Sequence, residues 1–154
     1  MIAQGQSHHL DELAELQREA LRVIALFTGP ASYIWLYATV WRQHFRPYTP
    51  WPQATGSYIG AALILLAAIL GFALKGRHLT LAAHLFVWGT LAGLTSAARS
   101  SGLPGAAYLF VLPVIFASIL LRRPPFLLVA IAAAALALYI GSAPSGLAPG
   151  TAVP

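Results

Sequence analysis

Two apolar runs, Tyr58 to Leu74 and Leu79 to Ala98, flank the short polar turn Lys75-Gly76-Arg77-His78. Each run is long enough to cross ~30 Å of hydrocarbon at a helical rise of ~1.5 Å per residue, and so short a turn forces the two helices to lie antiparallel. A chain built around such a hairpin folds as a helical bundle in a membrane. The cationic turn is expected on the cytoplasmic side, where positive loops are retained, and that assignment fixes the direction of every other element.

The rest of the sequence agrees with this seed. With 58% hydrophobic and 8% charged residues the chain lies far from a soluble fold, in which roughly a quarter of residues are charged. A length of 154 residues leaves room for one bundle and no second domain of useful size. The net charge of +5 does not point to nucleic acid, because the cations stand in ones and twos at the ends of apolar runs and not on one polar face. Without cysteine there is no disulfide, thiolate nucleophile or Cys metal site.

At the N-terminus, Ser7 is placed to cap a helix whose first turns carry Asp11, Glu12 and Glu15, acids favoured by the helix dipole. Leu10, Leu13, Leu16, Ala20 and Val23 recur at three- and four-residue spacing, with Asp11, Glu15, Arg18 and Arg22 on the polar side, which predicts an amphipathic helix over residues 1–20. The acidic start has no cationic lead and does not read as a signal peptide. The helix is expected to continue into a first span, Leu21 to Trp41, kinked at Gly29-Pro30. The polar stretch Arg42 to Pro52, with three prolines, predicts the longest loop. Trp41, Tyr48 and Trp51 then belong either to an interfacial aromatic belt or to a lid facing a ligand.

Beyond the hairpin, Pro104 suits the first position of a fourth span that ends at Leu121 and bends at Pro113. Arg122-Arg123-Pro124-Pro125 reads as a turn and Phe126 to Ile140 as a fifth, alanine-rich span, closing a bundle over residues 21–141. Residues 142–154 are uncharged, rich in Pro, Gly, Ala and Ser, and read as a loose tail. A cytoplasmic N-terminus puts six cations inside (Arg18, Arg22, Lys75, Arg77, Arg122, Arg123) against three outside (Arg42, Arg46, Arg99), with the C-terminus outside. Spans four and five are the shortest, and a tilted or re-entrant pair is compatible with them.

All four carboxylates, Asp11, Glu12, Glu15 and Glu19, precede the first span. Proton-coupled pumps and intramembrane hydrolases need ionisable groups inside the bundle, most often carboxylates. Their absence from Ala20 onward argues against carboxylate–metal catalysis, an acid-based proton relay and a Ser-His-Asp arrangement, so neither an enzyme nor a metal site is expected. No phosphate-binding Gly-rich motif or metalloprotease helix motif occurs.

His84 is the polar exception, about 8 Å into the third helix at the usual rise. Trp88, one turn on, shares its face, and Leu91 and Thr95 continue the stripe. Such a histidine is able to hold the metal of a haem or chlorophyll, to accept a ligand's hydrogen bond or to sense pH; equally, a neighbouring helix's backbone or interfacial water satisfies it. His44 and His78 lie elsewhere, which disfavours two-histidine haem ligation. Gly89 and Gly93, continued by Ala97, and Gly56 with Gly60 form small-residue ridges that let helices approach closely, within the bundle or across a dimer.

The order of a short N-terminal helix, a first span, an aromatic-proline loop, the Lys-Gly-Arg-His hairpin followed by Leu-Thr-Leu-Ala-Ala, and a pair joined by Leu-Arg-Arg-Pro-Pro resembles the N-terminal multi-span membrane domain of bacterial sensor histidine kinases and related signalling proteins. The likeness covers Arg18 to Ile140 and is one of pattern. It implies an input domain without kinase activity of its own, although those domains have an even number of spans before a cytoplasmic kinase. A second, shorter likeness, Ala82-Ala83-His84-Leu85-Phe86-Val87-Trp88, is similar to the stretch around the pigment-ligating histidine of bacterial light-harvesting polypeptides, and implies bacteriochlorophyll ligation by His84.

The expectation is an all-α integral membrane protein of the inner membrane, with about five spans after an amphipathic helix, acting as a non-catalytic sensing and signalling module. Its partners would be the lipid bilayer, a signalling kinase, and a second copy or a larger membrane complex, with no nucleic acid. The alternative is an accessory subunit that binds a tetrapyrrole, bacteriochlorophyll or haem, through His84. A third is a small facilitator, which needs no carboxylate.

Overall fold

The computed structural model describes residues 2–45, 51–101 and 106–142, with side chains over 12–45, 55–100 and 106–142. Every element among them is a helix: α1 (Ile2–Phe45), α2 (Trp51–Leu74), α3 (Leu79–Ser101), a 3₁₀ segment (Ala106–Phe110), α4 (Val111–Leu120) and α5 (Arg123–Ser142). Glu12–Phe45 of α1, Thr55–Leu74 of α2, Leu79–Ser100 of α3 and all of α5 are long and apolar enough to cross a membrane, while Ala106–Leu120 is shorter.

That shorter stretch lies where the fourth of about five spans, one of the two shortest, was expected. Pro113 has no N–H to give the Leu109 carbonyl, so the α pattern does not extend back through Leu109, and Ala106–Phe110 winds as 3₁₀ instead. Pro113 itself is tolerated in the first turn of α4, where its N–H would have no partner within the helix. The two pieces together reach ~25 Å, from the level of Ala98 to that of Ala82.

Prolines misplace two other expectations, the loop over 42–52 and the turn over 122–125. Pro52 sits at the second position of α2 and Pro124 and Pro125 in the first turn of α5, all sites where a missing N–H costs nothing. Arg42–Phe45 and the segment from Trp51 are therefore helical, and Arg123 opens α5 where a turn was expected. α1 continues through Pro30 without a break. It also begins at Ile2, so Ser7 lies inside the helix and not at its cap.

The α2–α3 hairpin forms as expected. Arg77 and His78 N–H groups both bond the Leu74 carbonyl at 3.1 and 2.9 Å, closing α2, and the Ala82 N–H bonds the His78 carbonyl at 2.9 Å to open α3. Lys75 Nζ lies 3.7 Å from the centre of the Phe72 ring, one turn back.

All five helical runs pass through two layers of core. One layer gathers Leu21, Ala25, Ala68, Ala82, Phe86, Ala117, Leu121 and Val129; the other gathers Ile64, Leu94, Ala98, Ala106, Phe110 and Ala133. This up-and-down order brings Arg22, the Lys75–His78 turn and Arg122–Arg123 to one end of the bundle, and Arg42 and Arg99 to the other. α1, at 44 residues, is far longer than its neighbours. Gly71 lies beside Leu21, so the residues before it run on past the end of the hairpin, in one piece with the part that packs. The expected boundary at residue 20 is thus a change of surroundings within one helix. Residues 143–154, the expected tail, lie outside the described residues.

Candidate functional site

The small residues of α2 and α3 are brought together within the chain. A Cβ built on Gly60 would meet the Gly93 carbonyl oxygen at 2.5 Å and Ala97 Cβ at 2.9 Å; one built on Gly89 would meet Ala67 Cβ at 2.5 Å. At Gly56 it would meet the Ser100 side chain and the Ser96 carbonyl oxygen at 3.0 Å. The Ser96 hydroxyl donates to the Gly56 carbonyl at 3.0 Å, a bond from one helix to the other. Ridge thus meets ridge inside the hairpin, which leaves these glycines buried or half-buried and covered by their own chain.

Beside this seam lies a crevice of 490 Å³. α1 forms one wall through Phe27, Ser32 and Trp35, and Leu112 and Phe116 of α4 form the other, with Ile64 and Thr90 between them. It opens because α1 packs along α2 and only sparsely against α3 and α4. Two buried hydroxyls stand in it, and both are already satisfied: Ser32 Oγ donates to the Thr28 carbonyl at 2.6 Å and Thr90 Oγ1 to the Phe86 carbonyl at 2.7 Å. A guest therefore meets a mainly apolar surface whose two buried hydroxyls are already bonded, a lining suited to a hydrocarbon. Ile64 belongs to both features, since a Cβ on Gly93 would lie 2.5 Å from Ile64 Cγ1.

His84 is half-buried on α3, with its Nδ1 2.7 Å from the Thr80 carbonyl oxygen. A carbonyl only accepts, so Nδ1 carries a hydrogen in this contact, and the tautomer that has it there leaves the lone pair on Nε2. The partner of Nδ1 is the preceding turn of its own helix. Trp88 is 40% exposed and shares the outward side with Leu81 and Leu85, while Leu91 turns into the core. The stripe expected from His84 to Thr95 is therefore split between the surface and the interior, and neither His84 nor Trp88 reaches the crevice.

Trp41 stands in an aromatic file on α1, its ring centre 6.0 Å from Tyr37 and 4.5 Å from Phe45. With Arg42 these rings border an open hollow at the Arg99 end of the bundle. Trp51 begins α2, but its side chain, like all of Tyr48, lies outside the described residues. Among the described residues no three His, Asp or Glu side chains gather as a metal site.

The crevice residues Ser32, Thr90 and Trp35 carry no motif. Ser and Thr at intervals in apolar runs are their sequence signal, and it is shared by hydroxyls elsewhere that only bond their own helix, such as Thr95 to Leu91. Comparison with protein-family models, curated proteins and solved structures finds no match.

Proposed function

We propose that this chain is an integral protein of the inner membrane that works as a non-catalytic sensing module, in which an apolar molecule enters the crevice between α1 and α4 from the bilayer and alters helix packing. The observation that carries the reading is the position of Ile64, which lines the crevice and rests on Gly93 where α2 and α3 meet backbone to backbone. A guest pressing on Ile64 acts on a contact that has no slack, so the helices shift as bodies. The clustering of Arg22, Lys75, Arg77, Arg122 and Arg123 at one end supports placing that end in the cytoplasm. α1 then leads from the crevice to the cytoplasmic side, where a signalling kinase is the partner this reading implies.

The test labels Leu26→Cys on α1 and Ile119→Cys on α4 with spins, in a chain that has no other cysteine. Both side chains are exposed on the bundle surface. Adding a long-chain fatty acid to the protein in vesicles is expected to change the distance between the labels. An unchanged distance, with a brominated form of the acid shown to occupy the crevice by quenching of Trp35 as the remaining tryptophan, overturns the reading.

A second reading has its own observation. The Nδ1 contact of His84 with the Thr80 carbonyl is the arrangement that orients an imidazole to bind a metal through Nε2. The exposed apolar side chains Leu81, Leu85 and Trp88 near it on α3 offer apolar surface to a macrocycle. A tetrapyrrole held there would supply light absorption or electron transfer, and the chain would be an accessory subunit of a larger complex. A visible absorption band in protein from its native membrane, lost in His84→Ala, supports this reading over the first.

A further inference from the structure

The outer side of α1 carries apolar residues at alternating intervals of three and four: Leu13, Leu16, Ala20, Val23 and Phe27. This is the 3.5-residue repeat of a coiled-coil seam, with Leu13, Ala20 and Phe27 at its a positions and Leu16 and Val23 at d. Leu13 is 50% exposed, Leu16 68% and Phe27 76%. The bundle takes another side of the same helix, where Leu21 and Ala25 are buried, and it reaches only the edge of the seam at half-buried Ala20, leaving Leu13, Leu16, Val23 and Phe27 exposed.

In a membrane, lipid would be at hand to cover Phe27 and the apolar residues after it in a single copy, but not the start of the seam. Leu21 is level with Gly71, four residues short of Lys75, so at ~1.5 Å per residue Leu16 stands about level with the Lys75–His78 turn and Leu13 beyond it, among Glu12, Glu15, Arg18 and Glu19. Leucines in that charged, aqueous stretch need a partner made of protein. The repeat itself selects the partner, because a seam of period 3.5 is matched by another helix of the same period, and the chain's own second copy supplies one. The flanks permit a parallel, in-register pair: Glu12 would face Gln17 and Glu19 would face Ile24 of the second helix, so no acid opposes an acid. Arg18, Glu15 and Arg22 lie away from the seam, Arg22 bound to its own Glu19 at 3.3 Å. Two copies in one membrane share their direction, and a parallel pair closes with twofold symmetry.

We propose that α1 pairs with α1 of a second copy of this chain through Leu13, Leu16, Ala20, Val23 and Phe27. The pairing goes beyond the sensing reading and does not require the crevice to bind anything, although Phe27 borders both.

Cysteine scanning tests the pairing in the full chain in its own membrane, since the protein has no cysteine of its own. Disulfides form only where Cα atoms approach within ~7 Å, so Leu13→Cys, Leu16→Cys and Val23→Cys are expected to give a species of twice the chain mass at ~10 times the yield of Glu15→Cys, Arg18→Cys and Arg22→Cys. The double variant Leu13→Glu, Leu16→Glu, which leaves the core untouched, is expected to turn two-step photobleaching of labelled chains in vesicles into one-step. Equal yields at all six positions, no cross-linking, or a product whose mass shows a different protein overturns the proposal. So does two-step bleaching that survives the double variant.

Discussion

Gly60 and Gly93 meet backbone to backbone: a Cβ on Gly60 would lie 2.5 Å from the carbonyl oxygen of Gly93, and one on Gly93 would lie 2.7 Å from the carbonyl oxygen of Gly60. Because each obstacle is backbone, no side-chain rotation relieves it. Gly60→Val or Gly93→Val must push the helices apart, and is expected to cost ~1–3 kcal/mol or more, the range for overpacking. The control is Gly141→Ala, where nothing lies within 4 Å of the new methyl, and which should stabilise α5 by ~0.5–1 kcal/mol. Unfolding in mixed detergent micelles, followed by helical circular dichroism, measures both.

Phe86 joins three helices. It is 0% exposed, its Cβ lies 3.3 Å from the position a Cβ on Gly71 would take, and its ring centre is 5.5 Å from that of Phe116 on α4. Phe86→Ala opens a cavity that the surrounding helices do not fill, and should cost on the order of 3 kcal/mol in the same assay. Phe72→Ala, on the exposed side of α2, should cost far less.

Two hydroxyls on α3 are expected to behave differently. Ser96 bonds across to Gly56 at 3.0 Å, so Ser96→Ala loses an interhelical bond worth ~0.6 kcal/mol and up to about 2. Thr90 bonds its own helix at Phe86, and Thr90→Val keeps the side chain's shape while the Phe86 carbonyl retains its backbone partner in α3 and no other helix is affected, so its stability should be near neutral.

Filling the crevice separates binding from folding. Ala31 lines it from α1 and is exposed, so Ala31→Phe should leave the unfolding transition in place. With Trp35 as the remaining tryptophan, a brominated fatty acid is expected to quench its fluorescence in the parent and several-fold less in Ala31→Phe, as a 490 Å³ space has then lost a ring's volume. Equal quenching in the two proteins would show that the acid reaches Trp35 from the outer surface.

The residues themselves announced the helices and the hairpin. Apolar runs of sufficient length with a cationic turn have few ways to satisfy backbone groups, and the Gly-x-x-x-Gly spacing marked the faces that pack closely. Proline was less legible. Pro52, Pro113, Pro124 and Pro125 read as loops or kinks, yet all fall in first turns, where the missing N–H is harmless; where a helix starts depends on what packs against it. The sequence alone also showed the repeat at Leu13, Leu16, Ala20 and Val23, because that spacing is a property of one helix. Only the tertiary structure decided that the bundle takes another side of α1, that His84 bonds its own turn, and that Ile64 lies between an open crevice and Gly93. The reason is physical: local spacing sets which residues share a face, but which face is buried, and where packing leaves a gap, depend on helices far apart in the chain.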